Sequence, residues 1–317
     1  MKFDLRHKRV FVTGHRGMIG SALLRRLQNE ECEVLSAPRQ VLDLARQEPV
    51  EAWFAEHRPD VVIHAAARVG GIHANNQYPA EFIYENLATA THVIHAAWKW
   101  RVQKLLFLGA ACVYPRDAPQ PLSEESLLTA PLEPTNEWFA VAKIAGIKLC
   151  QAYRRQHGCD FISVIPANAY GPGDNFRPEY AHVIASLLQR AQQAHVASTP
   201  ALSVWGTGKP RRDFIYVDDL ADAIVFMLQH YSAAAPINIG SGTGISIAEL
   251  ARLICNVVGY RGRLDFDTSR PDGMPLKILD ATRMRDLGWV PGTTLDEGLQ
   301  QTYRWYLDNP GRAGICH

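Results

Sequence analysis

The chain has 317 residues, of which 47% are hydrophobic and 21% charged, with 33 basic and 32 acidic side chains. That length suits two linked domains, and the composition is that of a soluble globular protein. A net charge of +1 leaves no electrostatic footprint for nucleic acid or an anionic membrane surface, and no apolar run reaches the length of a membrane span.

Asp4, Glu30 and other charges punctuate the N-terminal stretch, so no secretory signal is read and a cytoplasmic setting is expected. The six cysteines (Cys32, Cys112, Cys150, Cys159, Cys255, Cys316) lack metal-type spacing, and the twelve histidines form no H-x-x-x-H pair. Reduced thiols and no metal site are the expectation.

In chain order, apolar runs alternate with amphipathic segments. Val10–Thr13, Glu33–Ser36, Val61–Ala65, Lys104–Leu108 and Phe161–Pro166 read as strands. Ile19–Gln28, Arg46–Glu56, Pro79–Trp100 and Trp138–Gln156 read as helices. Short apolar strands separated by helices predict an α/β fold, a Rossmann-type doubly wound parallel sheet with ligands at the strands' C-terminal ends. A smaller C-terminal α/β domain is expected to follow.

The first strand ends in Thr13-Gly14-His15-Arg16-Gly17-Met18-Ile19-Gly20. A strand turning sharply into a helix aims that helix's unpaired N–H groups and its positive end at one spot, a seat for a diphosphate. Gly14 allows the turn, Gly17 the approach of the phosphates, and Gly20 close packing of helix on strand. Gly14, His15, Arg16, Gly17, Met18 and Gly20 are therefore candidate cofactor contacts; a glycine-rich loop without a ligand is the alternative.

The second strand ends without an acid to take the ribose hydroxyls: the segment reads Leu35-Ser36-Ala37-Pro38-Arg39. Arg39, with Arg16, suits a 2′-phosphate through charge-assisted hydrogen bonds, so NADP(H) is the expected cofactor over NAD. Two solvated surface arginines are the competing interpretation. Asp43 follows within reach of an adenine. After the third strand, His64-Ala65-Ala66-Ala67-Arg68 is a run of small residues that lets a cofactor pass close to Ala66, or packs as a tight core turn.

Gly14/Gly17/Gly20, Ala65-Ala66-Ala67 and a helix carrying Lys143 together resemble the extended short-chain dehydrogenase/reductases. The likeness is closer still to the GDP-L-fucose synthase family of NADPH-dependent 3,5-epimerase/4-reductases acting on GDP-4-keto-6-deoxy-mannose. It rests on Gly14-His15-Arg16-Gly17-Met18, Val69-Gly70-Gly71-Ile72, Ala74-Asn75-Asn76, Leu132 to Glu137 and Ala142 to Cys150. Tyr170-Gly171-Pro172, Asp174-Asn175-Phe176, Val204-Trp205-Gly206 and Pro271-Asp272-Gly273 extend it over nearly the whole chain.

The resemblance implies roles position by position. Cys112 and His182 match the family's acid/base pair for epimerisation. Its catalytic Tyr-x-x-x-Lys falls on Phe139 and Lys143, and its Ser-Ser-Cys on Ala110-Ala111-Cys112. Phe139 has the ring but no proton to give, and Ala110 lacks the serine hydroxyl, so the reductive machinery is depleted. Loss of both hydroxyls points to an introduced inactivating change, with a natural non-catalytic relative as the alternative. Lys143, Pro166, Asn168 and His182 would also line the cofactor. Asn168, Arg190, Trp205, Arg212, Asp272 and Lys277 would face a GDP-sugar, with buried core as the other interpretation of Trp205.

Two domains follow: residues 1–170 plus about 213–236 for NADP, and about 171–212 plus 237–317 for the nucleotide sugar. Relatives pair through a helix bundle, so a homodimer is implied. The rival functions are an epimerase without reductase activity and a non-catalytic NADP-binding protein.

Because Arg16 and Arg39 replace a ribose-binding acid, NADPH is expected to bind about ten-fold or more tightly than NADH, one charge-assisted phosphate contact contributing roughly 1.5–3 kcal/mol. Fluorescence titration with both cofactors checks this, and equal affinities would refute it.

Overall fold

The computed structural model describes residues 2–310 except Pro271. Cys316, Pro271 and the end of the C-terminal segment lie outside the described residues.

The first half alternates strand and helix: β1 (Arg9–Thr13), α1 (Met18–Leu27), β2 (Glu33–Leu35), α2 (Gln47–His57), β3 (Val61–His64), the short α3 (Ile72–Gln77) and the long α4 (Pro79–Lys99). Then come β4 (Lys104–Leu108), α5 (Glu137–His157) and β5 (Asp160–Pro166). Apart from α3, which the sequence reading does not include, each lies within a few residues of its expected position. The remainder comprises β6 (Asn168–Tyr170), α6 (Val183–Val196), β7 (Ala201–Trp205), β8 (Arg211–Arg212), β9 (Phe214–Tyr216), α7 (Val217–His230) and β10 (Ile237–Ile239). It ends with β11 (Ile245–Ser246), α8 (Ile247–Val258), β12 (Arg263–Asp267), β13 (Leu276–Lys277), α9 (Thr282–Asp286) and α10 (Leu295–Asp308).

The principal sheet is parallel throughout, in the order β10-β5-β4-β3-β1-β2. This is the doubly wound arrangement. The chain leaves β1 for β2 on one side and returns to place β3 on the other, opening a crevice at the C-terminal ends of β1 and β3. Burial on both faces explains the unbroken apolar runs of β3 and β4: all of β3 and β4 is buried. Against one face, Phe11 of β1 stacks on Trp53 of α2 at 3.9 Å. On the other, α7 lies along α1, joined by Arg26 to Asp222 at 2.6 Å.

A second core gathers α6, α8 and α10 around β7 and β12, with Leu188, Ile254 and Leu299 fully buried. Both α8 and α10 begin with a reciprocal capping box, Ser246 with Glu249 and Thr294 with Glu297, which satisfies donors that the helix leaves open.

One boundary is corrected. The sequence places residues 237–317 in the substrate domain, but β10 is the edge strand of the principal sheet, paired with β5. Ile237 and Ile239 are buried in the first core, and Leu279, Met284 and Trp289 join them there. Asn238 anchors the strand: its N–H donates to Glu124 at 2.9 Å, and its side chain donates to the Leu122 carbonyl at 2.9 Å and accepts from the Tyr114 hydroxyl at 2.6 Å. Those partners come from distant segments, which a local pattern does not show.

The glycines differ in what they allow. A Cβ on Gly20 would fall 2.0 Å from the Gly14 carbonyl oxygen, a backbone atom with nowhere to go, whereas one on Gly17 would meet only that oxygen at 3.4 Å. Gly20→Ala is expected to destabilise by about 2–3 kcal/mol net, although alanine is the better helix former by about 1 kcal/mol. Gly17→Ala at the N-cap should cost under about 1 kcal/mol. Urea unfolding of the two variants decides it; equal losses would refute the distinction.

Candidate functional site

At the mouth of the crevice, Gly14 adopts φ +69°, and a Cβ there would lie 2.8 Å from Ala66 Cα. The loop from β1 and the turn after β3 therefore touch backbone to backbone. Thr13 fastens them: its Oγ1 accepts from the Ala66 N–H at 3.1 Å and lies 2.9 Å from His64 Nδ1. Burial holds the His64 pKa down to about 3, so the ring stays neutral.

The first turn of α1 starts at Gly17 with no side-chain cap and no acid, leaving its N–H groups and positive end available for a diphosphate. Dinucleotide chemistry fits this cradle: a close-packed turn, free donors and no competing carboxylate. His15 is half-buried and Arg16 exposed beside it; burial and the Arg16 charge lower the His15 pKa. Arg39 is exposed after β2, 3.5 Å from Glu85. Asp43 accepts from Ala45 N–H at 3.1 Å and so stiffens its own turn. Pro166 ends β5, where the following Ala167 N–H donates to the Ile239 carbonyl at 2.8 Å.

Further along the sheet's C-terminal edge, β4 runs through Ala110 into a short 3₁₀ turn, Ala111–Val113, which buries Cys112. Lys143, on α5, is buried and donates to the Leu108 carbonyl at 2.8 Å. Its ammonium lies 5.7 Å from the Phe139 ring and 5.0 Å from that of Phe107. Burial draws its pKa down to about 8. Phe139 packs edge-on to Phe82 at 6.3 Å. Burial raises the Cys112 thiol, while the charges of Lys277 and Lys143 pull it toward thiolate. Burial lowers Lys277, and Cys112 and Glu133 act against that.

His182 is the N-cap residue of α6. The residue is exposed, and desolvation by nearby protein, then the Lys277 charge, lower its pKa. Lys277 thus sits close enough for its charge to act on both Cys112 and His182.

The outer residues are more dispersed. Arg190 donates to the Ser203 carbonyl, and burial lowers its pKa. Trp205 is 60% exposed, which excludes its reading as buried core, and Arg270 lies 5.1 Å over its ring. Arg212 donates to the Met274 carbonyl at 2.6 Å. Asp272 spans Thr207, accepting from its N–H at 2.8 Å and its hydroxyl at 2.7 Å.

The sequence missed Asp213, which is buried. It accepts from the Ser241 hydroxyl at 2.6 Å and from the N–H groups of Gly242 and Leu279 at 3.3 and 3.4 Å. Its carbonyl accepts from the Asn168 side chain at 2.9 Å. It ties together the segments on which Asn168, Arg212 and Lys277 stand. Its place directly before the apolar run from Phe214 to Val217 is the one signal that could have pointed to it.

A family model described as NAD dependent epimerase/dehydratase family matches residues 10–240. The chain is 53% identical over 302 residues to GDP-L-fucose synthase of Sinorhizobium fredii, covering 95% of this chain and 96% of that protein. It is 48% identical over 315 residues to GDP-L-fucose synthase of Escherichia coli, covering 96% and 98%. A crystal structure of a GDP-L-fucose synthetase from Naegleria fowleri bound to NADP superposes with a TM-score of 0.90 at 27% identity, covering 98% of this chain and 97% of that one.

The buried neutral His64 makes the crevice acid-sensitive. Its folded pKa of about 3 lies below the ordinary 6.5, so the unfolded chain takes up the proton first and stability falls as pH drops from 6.5 toward 3. Between pH 7 and pH 5 the loss from this residue is about 2 kcal/mol. His64→Gln, measured by urea unfolding at both pH values, should flatten the dependence by that amount; an unchanged slope would refute it.

Proposed function

This chain belongs to the NAD dependent epimerase/dehydratase family, and on that footing we propose that it binds NADP(H) and a GDP-linked 4-keto sugar. Its chemistry is that of a GDP-L-fucose synthase-type 3,5-epimerase/4-reductase with the reductive half impaired. What supports this reading is that the Lys277 charge acts on both Cys112 and His182 and the Lys143 charge on Cys112, with Ala110 and Phe139 where hydroxyls would serve.

The first turn of α1 and the Gly14–Ala66 contact hold the dinucleotide's diphosphate, and Arg16 and Arg39 its 2′-phosphate. When bound, NADPH supplies the hydride for C4. Cys112 and His182 move protons at the carbons beside the ketone. The neutral His182 ring accepts a proton at pH 7, and the flanking ammonium groups ease thiolate formation at Cys112. Arg190, Arg212 and Lys277 hold the sugar's diphosphate, and their partial desolvation strengthens that attraction. Neither Ala110 nor Phe139 can deliver a proton to the C4 oxygen.

The proposal includes the two-domain division, with β10 moved to the cofactor domain, and a homodimer. Tyr84, Trp138 and Val141 on α4 and α5 expose 67%, 45% and 36% of their surface, which supports pairing through those helices. Among the described residues no helix is long and apolar enough to cross a membrane.

A positioned general acid contributes about 10²–10⁴-fold, so NADPH turnover by this chain should be slow. Phe139→Tyr with Ala110→Ser should recover activity far beyond either change alone, because both hydroxyls serve one proton path. In D₂O with the GDP-4-keto sugar, the unaltered chain should take up deuterium at C3 or C5 with little reduced product, and Cys112→Ser or His182→Asn should remove most of that exchange. A double reversion as slow as the starting chain, or exchange untouched by either substitution, would overturn these assignments.

A further inference from the structure

Glu85 stands on α4 with its side chain 22% exposed, between two arginines from different loops. Its Oε1 accepts from Arg68 Nη1 at 2.6 Å, and its Oε2 lies 3.5 Å from Arg39 Nη1. The next residue, Asn86, holds the Arg68 backbone, accepting from its N–H at 3.0 Å and donating to its carbonyl at 3.0 Å. Arg68 is further braced by the Tyr78 and Phe82 rings at 5.7 and 5.6 Å. Arg39 is 61% exposed, and Glu85 is its one ionic partner among the described residues.

We propose that Glu85 is the internal counter-ion of Arg39, which the 2′-phosphate of the dinucleotide must displace, so that Glu85 sets how strongly the phosphorylated cofactor is preferred. This rests on the reading above that Arg39 takes that phosphate. The geometry favours exchange: Arg39 meets Glu85 through one nitrogen at a long distance, whereas a phosphate accepts two short bonds from a guanidinium. A carboxylate left beside the phosphate, itself carrying nearly two negative charges at pH 7, repels it. Arg68 opposes that repulsion by engaging the other oxygen of Glu85.

The consequence has a direction that a merely structural role does not share. Glu85→Gln keeps the side chain's shape and removes its charge, freeing Arg39. Arg68→Met leaves Glu85 with Arg39 alone and should have the opposite effect. If Glu85 only braced the loop after β3, its loss would weaken phosphorylated and unphosphorylated ligands alike.

The test uses the full chain with adenosine 2′,5′-bisphosphate and AMP, by calorimetry at low and high salt. Glu85→Gln should bind the bisphosphate about three- to ten-fold more tightly with AMP changed less than about two-fold, and the gain should shrink as salt screens it. Arg68→Met should weaken the bisphosphate, and Glu85→Gln added to it should restore the affinity. Weaker bisphosphate binding by Glu85→Gln, or an equal shift for both ligands, overturns the proposal. Arg39→Leu separates the two levels. If it leaves the ratio of the two affinities unchanged, the 2′-phosphate binds elsewhere, and both this inference and the Arg39 assignment fall. If it collapses the ratio while Glu85→Gln does not raise it, the counter-ion role alone falls.

Discussion

Gly14 is where three stretches of backbone meet. At φ +69° its missing side chain leaves room for Ala66, while its carbonyl oxygen lies where a side chain on Gly20 would begin. The end of β1, the start of α1 and the turn after β3 are fixed within contact distance by that one position. Thr13 and His64 lock the turn from below, and Asn86 holds its far end against α4. The anion-binding end of α1 is therefore aimed into a crevice whose opposite wall is already set. Preorganisation of this kind means that little ordering entropy remains to be lost when a dinucleotide arrives.

The chemical end of the crevice is built on a conflict between burial and charge. Lys143, Lys277 and Arg212 are all desolvated, and burial lowers each pKa. Glu133 beside Lys277 and Asp272 near Arg212 only partly offset this. Poorly compensated cations destabilise the protein alone and gain most from an anionic ligand, because attraction grows as water is excluded. The second core and the Asp213 junction supply the rigidity that keeps these cations in place.

Much of this was legible in the sequence because it is local. The glycine spacing, the alternation of apolar runs with amphipathic stretches and the absence of an acid after β2 each reflect residues a few positions apart. What escaped was set by distant partners. The run Ile237-Asn238-Ile239 carries a polar residue between two apolar ones, and its place beside β5 depends on what Asn238 meets in Glu124, Leu122 and Tyr114. Asp213 reads as an ordinary acid until Ser241, Gly242 and Leu279 come together around it. Trp205, whose composition fitted either core or platform, is exposed because β7 turns its alternate residues outward. Glu85 gave no signal, since its meaning lies in two arginines contributed by different loops.

Ala110 and Phe139 stand on elements other than those of His182 and Lys277: the former belong to the end of β4 and the first turns of α5, whereas His182 opens α6 and Lys277 stands on β13. Cys112 follows Ala110 closely in a 3₁₀ turn, and the Lys277 charge acts on it more than that of Lys143. Lys143 meanwhile satisfies its ammonium with the Leu108 carbonyl and the faces of Phe107 and Phe139. With Phe139 at its side, Lys143 therefore carries no orphaned charge. Ala110 and Cys112 share one turn of backbone, whereas Phe139, His182 and Lys277 come from α5, α6 and β13, so the packing around each of those three is set by its own element.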